Sequence, residues 1–89
     1  MRVHVIVRGR VQGVGFRYET ALRPRSLALG GWVRNRSDGT VEAVFEGDKT
    51  KVEDIIAWCR QGPPGAAVQN VTANFAEFSG AFKGFAIRY

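Results

Sequence analysis

Val3, Val5 and Val7 alternate with Arg2, His4 and Ile6 up to Gly9. Alternation with β-branched residues on one side predicts a strand with one buried face. From Tyr18 to Leu29 the period changes, with Ala21, Leu22, Ala28 and Leu29 at helical spacing. Pro24 falls inside that pattern. A proline in a helix interior has no N–H for the carbonyl four residues back and crowds it, at ~3 kcal/mol, so a kink or a shortened helix is expected. Gly30-Gly31 ends the segment. Trp32 to Asn35 and Thr40 to Phe45 read as two strands, and Ser37-Asp38-Gly39 between them is a hairpin signal because Asp-Gly tolerates positive φ. Val52, Ile55, Ile56 and Cys59 recur at i, i+3, i+4 and i+7, an amphipathic helix for which Asp48 or Thr50 is the cap and Gly62-Pro63-Pro64-Gly65 the stop. Val68 to Phe78 reads as extended, and Phe85, Ile87 and Tyr89 alternate in a last strand.

The resulting order is β-α-β-β-α-β, with room for an additional strand. An antiparallel sheet with two helices on one face buries these stripes most economically, which makes the expected class α+β, a ferredoxin-like two-layer sandwich. The 89 residues fit one domain over 1–89 with one core, and no repeat, linker or low-complexity segment interrupts it. That architecture hosts enzymes, RNA binders and regulatory modules alike, so function has to come from the side chains.

Charge narrows the partners. Lys and Arg number 13 against 8 Asp and Glu, a net charge of +5, and the pI is about 10.2. A basic balance favours anions: phosphorylated small molecules, nucleic acid or anionic membranes. No stretch is long enough to span a bilayer, and Arg2, His4, Arg8 and Arg10 break up any signal-peptide core. The single cysteine, Cys59, allows no intrachain disulfide and fits a reducing compartment, so a cytoplasmic protein is expected.

Several chemistries are excluded by shortage of parts. His4 and Cys59 are too few for a metal site of the His/Cys type, so no metal is expected. With one histidine, expected at the surface or an edge, no Ser-His-Asp set assembles. Cys59 lies on the apolar helix face and reads as a buried thiol. A cysteine phosphatase loop would need an arginine six positions after it, where Gly65 stands. Trp32 and Trp58 read as packing residues rather than ligand platforms.

What remains is Gly9-Arg10-Val11-Gln12-Gly13-Val14-Gly15-Phe16-Arg17. A glycine-rich turn between strand and helix points amides inward, and an arginine at the helix start suits a tetrahedral dianion. The run lacks the Gly-Lys-Ser/Thr of a nucleotide loop, and Tyr18 stands where a dinucleotide fingerprint wants glycine. On its own it reads equally as an anion site or as a tight turn. Val11 occupies the place of a covalent nucleophile, so an attacking group there would be water. Asn35, at the end of a strand beside a hairpin, is either a turn residue or a group able to orient that water.

Together these segments resemble the acylphosphatase family. The residues that carry the resemblance are the run 9–17, Gly31-Trp32-Val33-Arg34-Asn35, Asp38-Gly39-Thr40-Val41-Glu42, Gly62-Pro63-Pro64-Gly65-Ala66 and Phe85-Ala86-Ile87-Arg88-Tyr89. The resemblance implies the ferredoxin-like sandwich and hydrolysis of a carboxyl–phosphate mixed anhydride to carboxylate and inorganic phosphate, with no cofactor, no metal and no required covalent intermediate. It assigns phosphate binding to Arg17 and to the backbone amides of Gln12, Gly13, Val14, Gly15, Phe16 and Arg17, and placement of the water to Asn35. The partner it implies is a small acyl phosphate, with inorganic phosphate or sulfate competing, and the expected form is a monomer without nucleic-acid or membrane partners. Two positions depart from the family pattern: Pro24 replaces a helix-compatible alanine, and Ala28 replaces a glycine. The Tyr89 carboxylate is a candidate partner for Arg17. Two other readings stand beside this one: a non-catalytic anion-binding module on the same fold, and an RNA-binding module, for which no aromatic strand motif is found.

Overall fold

The computed structural model describes residues 1–23 and 27–89 with their side chains, and 24–26 only as part of a helix. The elements are β1 (Arg2–Arg10), α1 (Phe16–Ser26), β2 (Gly30–Asn35), β3 (Val41–Glu46), α2 (Lys49–Gln61), β4 (Ala67–Ala76) and β5 (Phe85–Arg88). The strands form one sheet in the order β4-β1-β3-β2-β5. β3 lies between β1 and β2 and runs antiparallel to both, so β1-α1-β2 is a crossover split by a third strand.

The fold class expected from the sequence is the one observed, with one difference in the sheet. It is mixed rather than wholly antiparallel, because β5 adds to the far edge in parallel with β2, Trp32 opposite Ala86 and Val33 opposite Ile87. To get there the chain leaves β4 at one edge and crosses the end of the sheet. Glu46, 3% exposed, holds that crossing: its carboxylate accepts hydrogen bonds from the Ser79 amide and hydroxyl and the Gly80 amide, each 2.8 Å.

One face of the sheet carries the core. Val3, Val5, Val7, Val33, Ala43 and Phe45 meet Val52, Ile55, Ile56 and Cys59 of α2 and Phe16 and Ala21 of α1, all buried. The Val52–Cys59 stripe is thus buried as its spacing predicts, and Asp48 is the cap, accepting from the amides of Thr50 at 2.9 Å and Lys51 at 3.4 Å. Helix α1 starts and ends earlier than Tyr18 to Leu29. Phe16 is already needed in the core, against Trp58 at 5.4 Å between ring centroids. At the other end Ala28 sits at φ 58, a left-handed residue that closes the helix. The kink expected at Pro24 lies outside the described residues.

His4, expected at the surface or an edge, is a surface residue, its side chain 40% exposed. It stands on the outer face of β1, an inner strand, because its valine neighbours claim the other face, and its Nε2 lies 2.6 Å from the Glu42 carboxylate. Arg34 holds the second oxygen of Glu42.

Candidate active site

The run after β1 folds as its glycines dictate. Gly13 and Gly15 take φ of 76 and 78, while a Cβ at either would meet nothing within 4 Å. The demand for glycine is therefore conformational, not a matter of room. Left-handed residues on either side of Val14 are a backbone geometry that can turn successive amides to one side, as a concave array of N–H dipoles. Gly15 is also the cap residue of α1, and no side chain caps that helix end. The first amides of α1 add to the same array.

Among the described residues, no backbone carbonyl accepts from the amides of 12–17, and the first amide of this region to be paired is that of Glu19, to the Gly15 carbonyl at 2.9 Å. Beside this loop, between the ends of β1, β2 and β5, lies a cleft of about 170 Å³. Arg17, Asn35, Gly13 and Gly15 all line it. Two separate stretches of sequence thus contribute to one cleft, because β1 and β2 run in the same direction on either side of β3 and end on the same side of the molecule.

Gln12 and Val14 are not in the cleft wall. Val14 packs against the core. The Gln12 side chain turns to the hairpin between β2 and β3, where its Nε2 donates to the Arg36 carbonyl at 2.7 Å and the Thr40 carbonyl at 2.9 Å. The hairpin also holds itself. Asp38 accepts from the Thr40 hydroxyl at 2.6 Å and the Thr40 amide at 3.1 Å. The Thr40 hydroxyl, then its amide, hold the Asp38 carboxyl below its ordinary 3.8.

Tyr18, Ile87 and Tyr89 also line the cleft. The Arg17 guanidinium lies over the Tyr89 ring, 4.9 Å to its centroid. The contact is with the ring: among the described residues no ion pair joins Arg17 to the terminal carboxylate. Sequence patterning gave no sign of the ring contact, since an alternating tail says which face a residue occupies but not what it touches. The Gln12 side chain had a faint signal, a lone amide in a run of glycine and valine.

The one cysteine is out of play as a nucleophile. Cys59 is 1% exposed, and burial pushes its thiol up to about 12. A thiol in that state is inert. No group of three His, Cys, Asp or Glu side chains among the described residues is placed to hold a metal ion.

The acylphosphatase family model matches residues 3–87. The chain belongs to the acylphosphatase family. An acylphosphatase of Pelotomaculum thermopropionicum is 56% identical over 90 residues, covering 99% of this chain and 96% of that one. The crystal structure of the acylphosphatase from Bacillus subtilis superimposes with a TM-score of 0.95 at 34% identity, covering 99% of this chain and 98% of that one. An acylphosphatase from Coxiella burnetii gives 0.92 at 38% identity, covering 98% and 90%. The chain is accordingly an enzyme, and its reaction is the family's, hydrolysis of acyl phosphates to a carboxylate and inorganic phosphate.

Proposed function

We propose that acyl phosphates are hydrolysed in the cleft between β1, β2 and β5, by direct attack of water on phosphorus. The backbone amides of Gln12, Gly13, Val14, Gly15, Phe16 and Arg17 form the phosphate-binding loop. The Arg17 guanidinium neutralises the phosphoryl oxygens, and the Asn35 carboxamide holds the water. The observation that carries this reading is that amides without carbonyl partners, one arginine and one asparagine meet in a single cleft.

The chemistry asks for little more. Water oxygen bonds to phosphorus as the bond from phosphorus to the acyl oxygen breaks, and its electron pair leaves on the carboxylate. The water's protons stay with the phosphate, giving a carboxylate monoanion and dihydrogen phosphate from an acyl phosphate dianion and water. A carboxylate leaves without being protonated, so a general acid is dispensable and the shortage of histidine is no obstacle. Positioning and charge stabilisation remain to be supplied. Guanidinium offers a planar fork with full charge. Loop amides offer dipoles already aimed before charge develops. Neither needs a metal.

Inorganic phosphate and sulfate, which share the tetrahedral shape and charge, compete for the cradle. A single domain over 1–89 acting as a monomer in the cytoplasm completes the reading; the one contiguous core and the single buried cysteine support it.

The test is steady-state hydrolysis of benzoyl phosphate. Asn35→Ala is expected to lower kcat roughly 100- to 1,000-fold while inhibition by inorganic phosphate persists. Arg17→Lys is expected to lose both turnover and phosphate inhibition, because a point charge does not reproduce the fork. A chelator is expected to change neither. Loss of both properties in a folded Asn35→Ala variant would contradict the division of roles.

A further inference from the structure

Gln12 enters the reading above only through its amide, yet its side chain makes the polar link between the cradle loop and the hairpin that follows Asn35. Its Nε2 donates to the carbonyls of Arg36 and Thr40, 2.7 and 2.9 Å away. Both partners only accept, so the NH2 end of the carboxamide must face them. The two carbonyls open and close the turn, and the Arg36 amide donates back to the Thr40 carbonyl at 2.9 Å. One side chain therefore grips both stems of the hairpin at its base. Asn35 is the residue before Arg36, the last of β2, opposite Val41 of β3. Among the described residues, no other hydrogen bond joins 12–15 to 36–40.

We propose that Gln12 is a positioning residue: by holding the 36–40 turn against the loop whose amides bind phosphate, its side chain fixes where the Asn35 carboxamide stands relative to the phosphorus. This rests on the roles proposed above for Asn35 and the 12–17 amides. Both length and donor chemistry matter. Asparagine is one methylene short of two carbonyls reached at hydrogen-bonding distance. Glutamate keeps the length but turns carboxylate oxygens onto carbonyl oxygens, which repel them. Every substitution keeps the amide at position 12, so the cradle itself survives.

The experiment compares Gln12→Met, which keeps length without donors, and Gln12→Glu with wild type, using benzoyl phosphate as substrate and inorganic phosphate as inhibitor. A displacement of the water-holding group by an ångström costs kcat roughly 100-fold. The expected result is a loss of that order in kcat, larger in Gln12→Glu, with KM and phosphate inhibition little changed. A merely structural role would lower melting temperature and phosphate affinity without this split. Wild-type kcat in folded Gln12→Met overturns the proposal, and so does a loss of phosphate inhibition equal to the loss in kcat.

Should both variants fail to fold, NMR of the wild-type protein decides. The Gln12 side-chain NH2 protons are expected to be protected from exchange, and added phosphate to shift the Gln12 and Asn35 side-chain amides together. Free exchange at Gln12 overturns the link. The two readings fail separately: full turnover in Asn35→Ala removes the role of Asn35, whereas a dead Asn35→Ala beside an unimpaired Gln12→Met removes only the role of Gln12.

Discussion

The guanidinium of Arg17 and the ring of Tyr89 stack at the edge of the cleft, the Cζ 4.9 Å from the ring centroid. Tyr89 is 97% exposed as a residue, so it adds almost nothing to the core. What it does is restrict a long cationic side chain that otherwise samples many rotamers. Exposed cation–π contacts are worth about 0.5–1 kcal/mol.

Tyr89→Ala is therefore expected to weaken inhibition by inorganic phosphate roughly 2- to 5-fold, the factor equivalent to that free energy, with kcat much less affected. Competition kinetics against benzoyl phosphate measure it. Tyr89→Phe keeps the ring and is expected to behave as wild type; if it falls with Tyr89→Ala, the ring face is not the relevant contact.

Glu46 makes acid stability a test of the crossing between β4 and β5. Burial is the largest influence on its carboxyl and by itself raises it, but the hydrogen bonds from Ser79 and Gly80, with Arg2 nearby, together hold it below its ordinary 4.5. The unfolded chain then takes up its proton at higher pH than the folded one. The stabilisation is full above about 4.5 and is lost as pH falls through the lower folded value. Glu46→Gln is expected to cost about 1–3 kcal/mol at neutral pH, since one donor of the amide faces donors. Its unfolding free energy is also expected to fall less steeply on acidification than that of wild type. Denaturant titrations at a series of pH values provide both quantities, and parallel slopes would mean that Glu46 is not the responsible group.

Ala28 holds a left-handed backbone, φ 58, at the residue closing α1. The Cβ in that conformation costs about 1–2 kcal/mol, of which the greater freedom of glycine in the unfolded chain returns a part. Ala28→Gly is expected to stabilise the protein by about 1 kcal/mol, read as a raised melting temperature with unchanged kcat.

Legibility in the sequence followed the range of the interactions. The Val52 to Cys59 stripe, a cap at Asp48 or Thr50 and the Asp-Gly hairpin are local, and each was readable from a few neighbouring residues; the structure chooses Asp48. The parallel pairing of β5 with β2 was not, because it depends on Glu46 gripping Ser79 and Gly80, far along the chain, and on a crossing that no periodicity marks. The same division holds in the cleft. Glycines 13 and 15, Arg17 and Asn35 stand in continuous motifs and were legible as candidates. The Tyr89 ring over Arg17 and the Gln12 carboxamide on the hairpin carbonyls exist only once distant segments have met.

The outcome that bears most directly on the cradle is the fate of the solvent oxygen. In a single turnover of benzoyl phosphate in 18O-labelled water, attack at the phosphorus held by Arg17 and the 12–17 amides predicts the label in inorganic phosphate and none in benzoate. Label in the benzoate would mean that water attacks the acyl carbon, and the assignment of the cleft to phosphoryl transfer would be wrong.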